Sequence, residues 1–179
     1  MDTFSERYLF RTIDPENIEE AECAANMDKL CYDNPNDACT REEVLERIAA
    51  APEIFLVALD RQSGEMVGIM NGVATDDDEE FLDEFFSEAS RLHDPDGSTV
   101  MLCGLDVMPE YRGQGLAKEL VRRYCEIEKE RGRKRLLLTC VEEKIEMYRK
   151  MGFRLVGVSA SVYGGTVWYD MDMVLNEDI

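Results

Sequence analysis

The segment "PEYRGQGLAKEL", residues 109–120, contains a turn with two glycines that leads directly into an amphipathic helix. Residues 98–107 precede it as an apolar run that is typical of a strand buried on both faces. Residues 114–131 carry apolar side chains at helical spacing, and Gly132 stands where a helix commonly ends. The first amides of a helix have no internal partner and carry partial positive charge. This strand, turn and helix therefore predict a site that binds an anion.

Two better-known phosphate-binding motifs do not fit this turn. A P-loop has the pattern GxxxxGK[ST], and no Lys-Ser or Lys-Thr pair follows these glycines. A dinucleotide-binding fingerprint has the pattern GxGxxG, and "GQGLAK" (113–118) lacks the third glycine. A glycine turn that only connects a strand to a helix remains the alternative interpretation.

The pattern of apolar residues and turn signals predicts the element order β-α-α-β-β-α-β-α-β-α-β-β. Strands are predicted at residues 7–13, 53–60, 65–75, 98–107, 134–140, 153–161 and 166–175. Helices are predicted at residues 15–31, 41–50, 76–94, 114–131 and 142–151. This order favours an α/β fold: one domain over residues 1–179, with a mixed central sheet of six to seven strands and helices on both faces.

Three helices have specific local signals. Asp14-Pro15 predicts a helix start with proline at the first helical position. Thr40, with Glu43 three residues later, predicts a capping box. Residues 76–94, "DDDEEFLDEFFSEASRLHD", have apolar residues at helical spacing among many carboxylates, which predicts one amphipathic helix with a solvated acidic face.

The net charge of −19 is unevenly distributed along the chain. Residues 1–98 hold 26 acidic and 7 basic side chains, whereas residues 99–179 hold 13 of each kind. Within the second half, residues 111–135 carry nine Lys or Arg and four Glu. The overall charge would repel DNA or RNA, so no nucleic-acid partner is expected. A small polyphosphate suits the basic segment and a cationic substrate suits the acidic half, unless both are simply solvated surface.

Composition also limits the location and the chemistry. No apolar run approaches the roughly 20 residues of a membrane span, so no membrane partner is expected. The first ten residues, "MDTFSERYLF", do not resemble a signal peptide, which favours a cytoplasmic protein. The six cysteines form no CxxC pair and the chain has one histidine, so we expect no metal site and mainly buried free thiols.

Two motifs together resemble the GNAT N-acetyltransferases. Residues 112–117, "RGQGLA", fit the pattern R/Q-x-x-G-x-G/A of that family's pyrophosphate-binding turn, and "GLDVMPEYRGQG" (104–115) resembles its fourth strand and acetyl-CoA loop. "MYRKMGF" (147–153) resembles the family's "FYxKxGF" element. The resemblance covers nearly the whole chain. Residues 138–161, the "GGTVWYDM" segment and the "LHDPDG" turn are further similar to the arylalkylamine N-acetyltransferase-like branch.

The resemblance implies a GNAT-type domain that uses acetyl-CoA as its acetyl donor. The backbone amides of the turn would bind the pyrophosphate, and the Arg112 side chain would add positive charge. The residues of this site would be Arg112, Gly113, Gln114, Gly115 and Ala117. Leu105 and Val107 would present strand backbone to the pantetheine arm. An amide near Leu105 would also polarise the thioester carbonyl, as in an oxyanion hole.

Tyr148 corresponds to the family tyrosine that is proposed to protonate the departing thiolate. A phenol has a pKa of about 10 and a thiol of about 8.5, so correct positioning must supply much of the benefit. The alternative interpretation is an aromatic ring that packs on its helix face. Tyr148 and the Leu105 amide are therefore the candidate catalytic groups.

The sequence does not identify the general base. The animal arylalkylamine enzymes place two histidines on the fourth strand, where this chain has Met101 and Cys103. Insect relatives use a glutamate in the loop after the first helix, where Asn34 stands beside Asp33. His93 lies in the "HDPDG" turn and is interpreted as a loop hydrogen-bonding residue. A water chain that ends on an acidic side chain would suffice.

The acceptor site is expected between the loop "CYDNPNDACT" (31–40) and the last two strands. Its candidate residues share an aromatic or acidic side chain: Tyr32, Asp33, Tyr163 and Trp168. The aromatic rings could stack on an aromatic or cationic acceptor, or they could be core and rim. The expected reaction is acetyl transfer to the primary amine of a small molecule, either an arylalkylamine or a polyamine.

Two alternatives remain open for the function. A non-catalytic module of the same fold could bind acyl-CoA as a sensor or regulatory subunit. A cysteine-based acyl transfer through Cys103 or Cys140 would need a base or a positive field near the thiol. Domains of this type often pair through their last strands, so a homodimer is also considered.

Overall fold

The structure is a computed structural model that describes residues 3–77 and 80–176. The strands in this part of the chain are β1 (Tyr8–Thr12), β2 (Leu56–Asp60), β3 (Met66–Thr75), β4 (Thr99–Val107), β5 (Arg135–Cys140), β6 (Arg154–Val158) and β7 (Tyr169–Val174). They form one sheet in the order β1-β2-β3-β4-β5-β7-β6. Only the β4–β5 pair is parallel, so the sheet is mixed, as the sequence predicts.

Helices cover both faces of the sheet. They are α1 (Thr3–Arg7), α2 (Ile18–Cys31), α3 (Arg41–Ala50), α4 (Glu84–Ser87), α5 (Ala89–Leu92), α6 (Leu116–Glu130) and α7 (Ile145–Lys150). Leu116, Leu120 and Tyr124 of α6 belong to a buried core on one face. On the other face, α2 to α5 pack over a second core that includes Ala24 and Val44. The predicted α/β architecture with helices on both faces is confirmed.

The two central strands separate halfway along their length. β4 pairs with β5 only from Thr99↔Arg135 to Leu102↔Leu138. β4 continues along β3 as far as Val107, while β5 continues along β7 as far as Cys140. The sheet therefore has an opening at its centre, directly before the glycine turn.

A β-bulge lies where the separation begins. Asn71 pairs with Gly104 and Gly72 pairs with Leu102, so Cys103 has no residue opposite it on β3. A bulge bends its strand and changes the direction of the side chains that follow. The backbones approach closely here, because a Cβ atom on Gly72 would lie 2.4 Å from the Met101 carbonyl oxygen. This irregularity turns the end of β4 away from β5.

The local helix signals have mixed outcomes. The capping box is confirmed: the Glu43 amide donates to Thr40 Oγ1 at 3.2 Å and the Thr40 amide donates to Glu43 Oε2 at 2.7 Å. The predicted start at Pro15 is wrong, because α2 begins at Ile18. Asn17 Oδ1 accepts a hydrogen bond from the Glu20 amide and caps the helix instead.

The acidic segment 76–94 does not form one helix. Its described part contains the two four-residue helices α4 and α5, and residues 78–79 of this prediction lie outside the described residues. Phe81 packs against both Phe85 and Phe86, with ring centroids 5.8 Å and 5.1 Å apart, and all three rings are buried. Burial of three bulky rings over six residues brings them into one cluster, whereas a straight helix would spread them along a stripe.

Candidate functional site

The opening between β4 and β5 leads into a cavity of about 30 Å³. Its wall contains four of the residues that the sequence singles out, namely Tyr32, Leu105, Tyr148 and Trp168. Asp37, Cys103, Gly104 and Thr139 also line it. The structure thus brings together candidates from β4, α7, the loop after α2 and the approach to β7. A larger open groove of about 720 Å³ lies beside α2, but none of the predicted site residues line it.

The glycine turn precedes α6 at the end of β4. Gly113 and Gly115 have φ values of +72° and +85°, a conformation that glycine adopts at little cost. Within the described residues, the amides of residues 113–118 donate no hydrogen bond to the protein, and the first helical bond runs from the Glu119 amide to the Gly115 carbonyl. A Cβ atom on Gly113 would meet no atom within 4 Å, so the turn is open to a ligand. These free amides fit an anionic group such as a pyrophosphate.

The Arg112 side chain is already engaged with protein carbonyls. Its Nε donates to the Val107 carbonyl at 3.1 Å, and its Nη2 donates to the Cys31 carbonyl at 2.7 Å. These bonds tie the end of β4 to the end of α2. The Gln114 side chain is engaged too, because its Oε1 accepts from Arg7 at 2.7 Å.

Much of the positive charge of residues 111–135 is balanced inside the fold. Arg122 and Arg123 both form ion pairs with Glu119 on α6. Arg131 and Arg133 form ion pairs with Glu128. The hypothesis of an anion site at the turn therefore depends on the backbone amides more than on a group of unpaired cations.

Tyr148 reaches the cavity from α7. Its ring packs edge-on against Phe153, with centroids 5.6 Å apart. Burial raises the pKa of its hydroxyl above the usual value, and nearby Cys140 and Asp106 raise it further. In the described part of the chain, no hydrogen bond uses this hydroxyl, so its proton is available to a group bound in the cavity.

The two segments predicted to form the acceptor site do meet. Thr166 Oγ1 donates to Asp37 Oδ1 at 3.0 Å, and the Tyr163 hydroxyl lies 3.2 Å from the Ala38 carbonyl oxygen and 2.9 Å from Glu43 Oε2 at the start of α3. Trp168 Nε1 donates to the Tyr163 carbonyl at 2.8 Å. These contacts hold the loop after α2 against the loop between β6 and β7, directly over the cavity.

Asp33 does not lie with the other acceptor candidates. Its side chain is exposed and does not line the cavity, whereas Asp37 of the same loop does. Asn34 supports the loop itself, because its Oδ1 accepts a hydrogen bond from the Asn36 amide. His93 is a hydrogen-bonding residue near its turn, as predicted: Nδ1 accepts from the Ala74 amide and Nε2 lies 2.7 Å from Glu53 Oε1.

Sequence reasoning missed a buried polar cluster under β4. It comprises Asp28 of α2, Arg47 of α3, Asn71 of β3 and Asp106 of β4, and each is at most 3% exposed. A signal for them was present, because each is a single polar residue within an apolar pattern. Asp28 follows Ala21, Ala24 and Ala25 on the buried side of its helix, and the other three interrupt similar apolar runs.

The two candidate thiols, Cys103 in the cavity wall and Cys140 outside it, are poor nucleophiles in this fold. Burial raises the pKa of Cys103, and burial raises the pKa of Cys140 to about 12. Cys103 Sγ lies 3.5 Å from the Phe85 and Met101 carbonyl oxygens, which accept hydrogen bonds from a protonated thiol. Because the thiolate is the reactive species, this arrangement disfavours an acyl-cysteine intermediate.

The part of the chain that the structure describes contains neither a metal-binding cluster nor a membrane-spanning helix. No group of three or more His, Cys, Asp or Glu side chains in residues 3–77 and 80–176 is arranged to hold a metal ion. Over the same residues, no helix combines the length and the apolar character that crossing a bilayer requires.

The chain belongs to the acetyltransferase (GNAT) family, whose model matches residues 22–153. A glucosamine 6-phosphate N-acetyltransferase of Trypanosoma brucei brucei is 42% identical over 48 residues. That match covers 27% of this chain and 33% of the relative, so it spans only about a third of the relative's length. The family to which the two motifs point is thereby confirmed.

Solved structures share the fold along nearly the whole chain. The loading GNATL domain of CurA from Lyngbya majuscula has a TM-score of 0.78 at 14% identity, covering 94% of this chain and 98% of that one. The GphF GNAT-like decarboxylase in complex with isobutyryl-CoA has a TM-score of 0.76 at 19% identity, covering 94% and 100%. Identities this low establish the common fold alone.

Proposed function

We propose that this protein is an acetyl-CoA-dependent N-acetyltransferase that acts as a single domain on the primary amine of a small molecule. Membership of the GNAT family supports the reaction class. The observation that carries the proposal is a run of amides at residues 113–118 that donate to no other described residue, beside a cavity that contains Tyr148. A donor held at the turn would extend its reactive end through the opening between β4 and β5 to that tyrosine.

The donor would be held mainly by backbone groups. The amides of Gly113, Gly115 and Ala117 would bind the pyrophosphate at the start of α6, with Gln114 in the same turn and Arg112 beside it. Leu105 and Val107 would contribute main-chain groups to the extended arm, where β4 has left β5. The structural relative described in complex with isobutyryl-CoA supports an acyl-CoA donor.

The chain supplies two groups for the transfer itself. The Leu105 amide would donate a hydrogen bond to the thioester oxygen, whose negative charge grows as the amine attacks. The Tyr148 hydroxyl would give its proton to the sulfur as the carbon–sulfur bond breaks. A raised pKa keeps the phenol protonated until that moment, and its position compensates for its weak acidity.

The acceptor would enter between the two loops that meet over the cavity. Tyr32 and Trp168 line the cavity below this approach, and Asp37 adds an acidic group where the sequence pointed to Asp33. Tyr163 does not line the cavity but lies in one of the two loops, where its ring packs against Phe86. Aromatic rings near a carboxylate suit a cationic amine with an aromatic ring. An arylalkylamine is therefore the proposed acceptor class, and a polyamine is the second candidate.

A thiol-release assay tests the function directly. Purified protein would receive acetyl-CoA together with tyramine, tryptamine, spermidine, glucosamine 6-phosphate or an aminoglycoside in separate wells. We expect rapid release with the aromatic amines. Release with glucosamine 6-phosphate alone would assign the protein to the activity named for the Trypanosoma relative. If no amine causes release while calorimetry shows acetyl-CoA binding, the alternative of an acyl-CoA-binding module is favoured.

We also propose that two copies pair through β6. β6 is an edge strand, and its side of the sheet exposes several apolar residues, namely Leu155, Val156, Val158, Val167 and Val174. An exposed apolar edge readily pairs with another strand. Light scattering should show a dimer that Val158→Lys converts to a monomer, and a monomeric wild type would rule this pairing out.

A further inference from the structure

Two buried aspartates form a pair on one side of the cavity wall. Asp28 comes from α2 and Asp106 from β4, and they are 0% and 3% exposed. Asp28 Oδ2 accepts a hydrogen bond from the Cys39 amide at 2.7 Å. The two carboxyl groups are close enough for one to donate a hydrogen bond to the other when it is protonated. Asp28 Oδ1 and Asp106 Oδ2 have no hydrogen-bond partner within the described residues.

The free oxygens converge on Gly104, which is part of the cavity wall. A Cβ atom on Gly104 would lie 3.5 Å from Asp106 Oδ2 and 3.6 Å from Asp28 Oδ1. The same point is 2.9 Å from Asn71 Nδ2, another buried atom without a partner in the described part of the chain. Three unsatisfied polar atoms therefore surround the one wall position that carries no side chain. Buried polar atoms normally have partners, so this convergence marks a group of unsatisfied polar atoms directly behind the cavity wall at Gly104.

The surroundings allow the pair to hold one proton. Arg47 is the buried cation nearest in the fold, but its Nη1 donates to Asn71 Oδ1 at 2.8 Å rather than to either carboxylate. Burial raises the pKa of Asp106 well above its usual range, and the adjacent Asp28 raises it further. Burial also raises the pKa of Asp28, although Arg47 opposes this shift. The other titratable or charged groups facing the pair are Cys31, Tyr32, Cys39, Glu43, Cys103, Arg112, Tyr148 and Tyr163.

We propose that the Asp28–Asp106 pair accepts a proton from the ammonium group of the acceptor amine, across Gly104. The proposal rests on the N-acetyltransferase function argued above. It assigns the base that the sequence left open, since Met101 and Cys103 stand where animal arylalkylamine enzymes have histidines.

The proton balance of the transfer is complete with this pair. The ammonium group gives one proton to the singly protonated pair, which becomes neutral, and the amine nitrogen regains its lone pair. The nitrogen then bonds to the thioester carbon, and the carbon–sulfur bond breaks with its electron pair going to sulfur. The sulfur takes a proton from Tyr148, which recovers it from the nitrogen as the amide forms. The pair returns its extra proton to solvent.

Isosteric substitutions test whether the pair accepts a proton, because only an acceptor amine that arrives as a cation needs to lose one before it attacks. Asp106→Asn and Asp28→Asn keep the shape of the pair but remove its capacity to take this proton. The substrates would be phenylethylamine and its β,β-difluoro analogue, whose fluorines lower the ammonium pKa so that it is largely uncharged at pH 8. We expect each variant to lower kcat/KM about 100-fold for phenylethylamine, within the usual range for a lost proton acceptor. The loss should be less than tenfold for the difluoro analogue.

The matched control is Glu128→Gln, which removes another fully buried carboxylate at the far end of α6. It should leave both kcat/KM values near those of the wild type. Infrared spectra of the ligand-free protein at pH 7 add a readout that does not depend on turnover. The wild type should show the carbonyl stretch of a protonated carboxyl group, and Asp106→Asn should lack it.

The possible results distinguish a failure of the proton-acceptor role from a failure of the proposed N-acetyltransferase function. If the wild type acetylates phenylethylamine but the Asn variants lose the same factor with both amines, the pair has a structural role and the inference is wrong. Unchanged activity in both variants, or no protonated carboxyl signal, would also overturn it. If the wild type acetylates no amine at all, the proposed function itself fails.

Discussion

Single residues of the site divide into two chemical kinds. On the proposed donor side, the turn around Gly113 would act through backbone amides, which every residue except proline carries. On the proposed acceptor side, Tyr148 and Asp106 would act through side chains, the first in the cavity wall and the second behind Gly104. Substitutions on the donor side should therefore act through backbone conformation, whereas those on the acceptor side should act through the loss of a functional group.

Gly113→Ala should weaken acetyl-CoA binding about tenfold, which corresponds to about 1.4 kcal/mol. The added Cβ disfavours the positive φ of this residue and tilts its amide away from the anion. Gly64→Ala is the matched control, because Gly64 also has a positive φ and open space around it, but lies in the β2–β3 hairpin. Isothermal titration calorimetry compares the two. Equal affinities in both variants would contradict the assignment of the turn.

Tyr148→Phe should lower kcat by about 100-fold with little change in the KM for acetyl-CoA, because only the proton donor is removed. Tyr124→Phe provides the control. Its hydroxyl donates to the Ile54 carbonyl at 2.8 Å in the core under α6, so its loss should reduce stability by about 1 kcal/mol and leave kcat unchanged. Steady-state kinetics decide the matter, and a fully active Tyr148→Phe would eliminate the acid role.

Sequence reasoning placed the residues that belong to motifs and missed those that depend on packing. The turn and Tyr148 stand at fixed spacings from recognisable elements, so they could be found before the fold. The sequence prediction named Asp33, whereas Asp37 of the same loop lines the cavity. Which residue does so depends on the direction in which the loop turns, and no local pattern reveals this. Asp28 and Asp106 are 78 positions apart, and only the pairing of α2 with β4 brings them together.

Among the elements, the separation of β4 from β5 creates the cavity, and two loops close it. The element order was predictable because apolar periodicity and turn residues are local signals. The separation itself was not, since it follows from a bulge at Cys103 and from register with two different neighbours. The structure of residues 76–94 could not be predicted from the local pattern either. The three phenylalanines bury their rings in one cluster, and this tertiary packing replaces the continuous helix.

The contact between the loops offers a test at adjacent positions. Gly164→Ala would place a Cβ atom 2.6 Å from the Asn36 carbonyl oxygen, which must push the loop after α2 away. Gly165 also has a positive φ, but Gly165→Ala meets nothing within 4 Å. We expect Gly164→Ala to raise the KM for the amine about tenfold or more, with unchanged acetyl-CoA affinity, and Gly165→Ala to have little effect. Similar KM values in the two variants would show that the loop contact does not shape the acceptor site.

The whole molecule combines a strongly acidic first half with a neutral second half, and it buries part of that acidity. When the pKa of a carboxyl group is higher in the folded state than in the unfolded state, the free energy of unfolding decreases as the pH rises. The decrease runs from the unfolded pKa, near 4, through the folded pKa. The Asp28–Asp106 pair is in this position, because burial raises the pKa of both groups. The proposed proton acceptor should therefore make the folded protein less stable at neutral pH.

Asp106→Asn should be more stable than the wild type at pH 7, because the raised pKa of Asp106 means that its ionised form is unfavourable in the folded state. The difference should shrink toward zero below about pH 3, under the unfolded pKa of about 4, where both carboxyls are protonated in the folded and unfolded states. Urea titrations at the two pH values give this difference in the free energy of unfolding directly. The contributions of the other carboxylates cancel, because both proteins contain them. A variant that is less stable at pH 7 would mean that the pair is stabilising as it stands.

The opening in the middle of the sheet also has a consequence for isotope exchange. In most sheets the central amides exchange with deuterium slowest and those at the margins fastest. Here the β4 amides that face β5 beyond Leu102 have lost their cross-strand neighbour, so a fast-exchanging stretch should lie at the very centre, flanked by slow ones. Acetyl-CoA in the opening should slow that stretch to the pace of its surroundings. Hydrogen–deuterium exchange mass spectrometry of β4, with and without acetyl-CoA, would thus show whether the donor takes the place of the absent neighbouring strand.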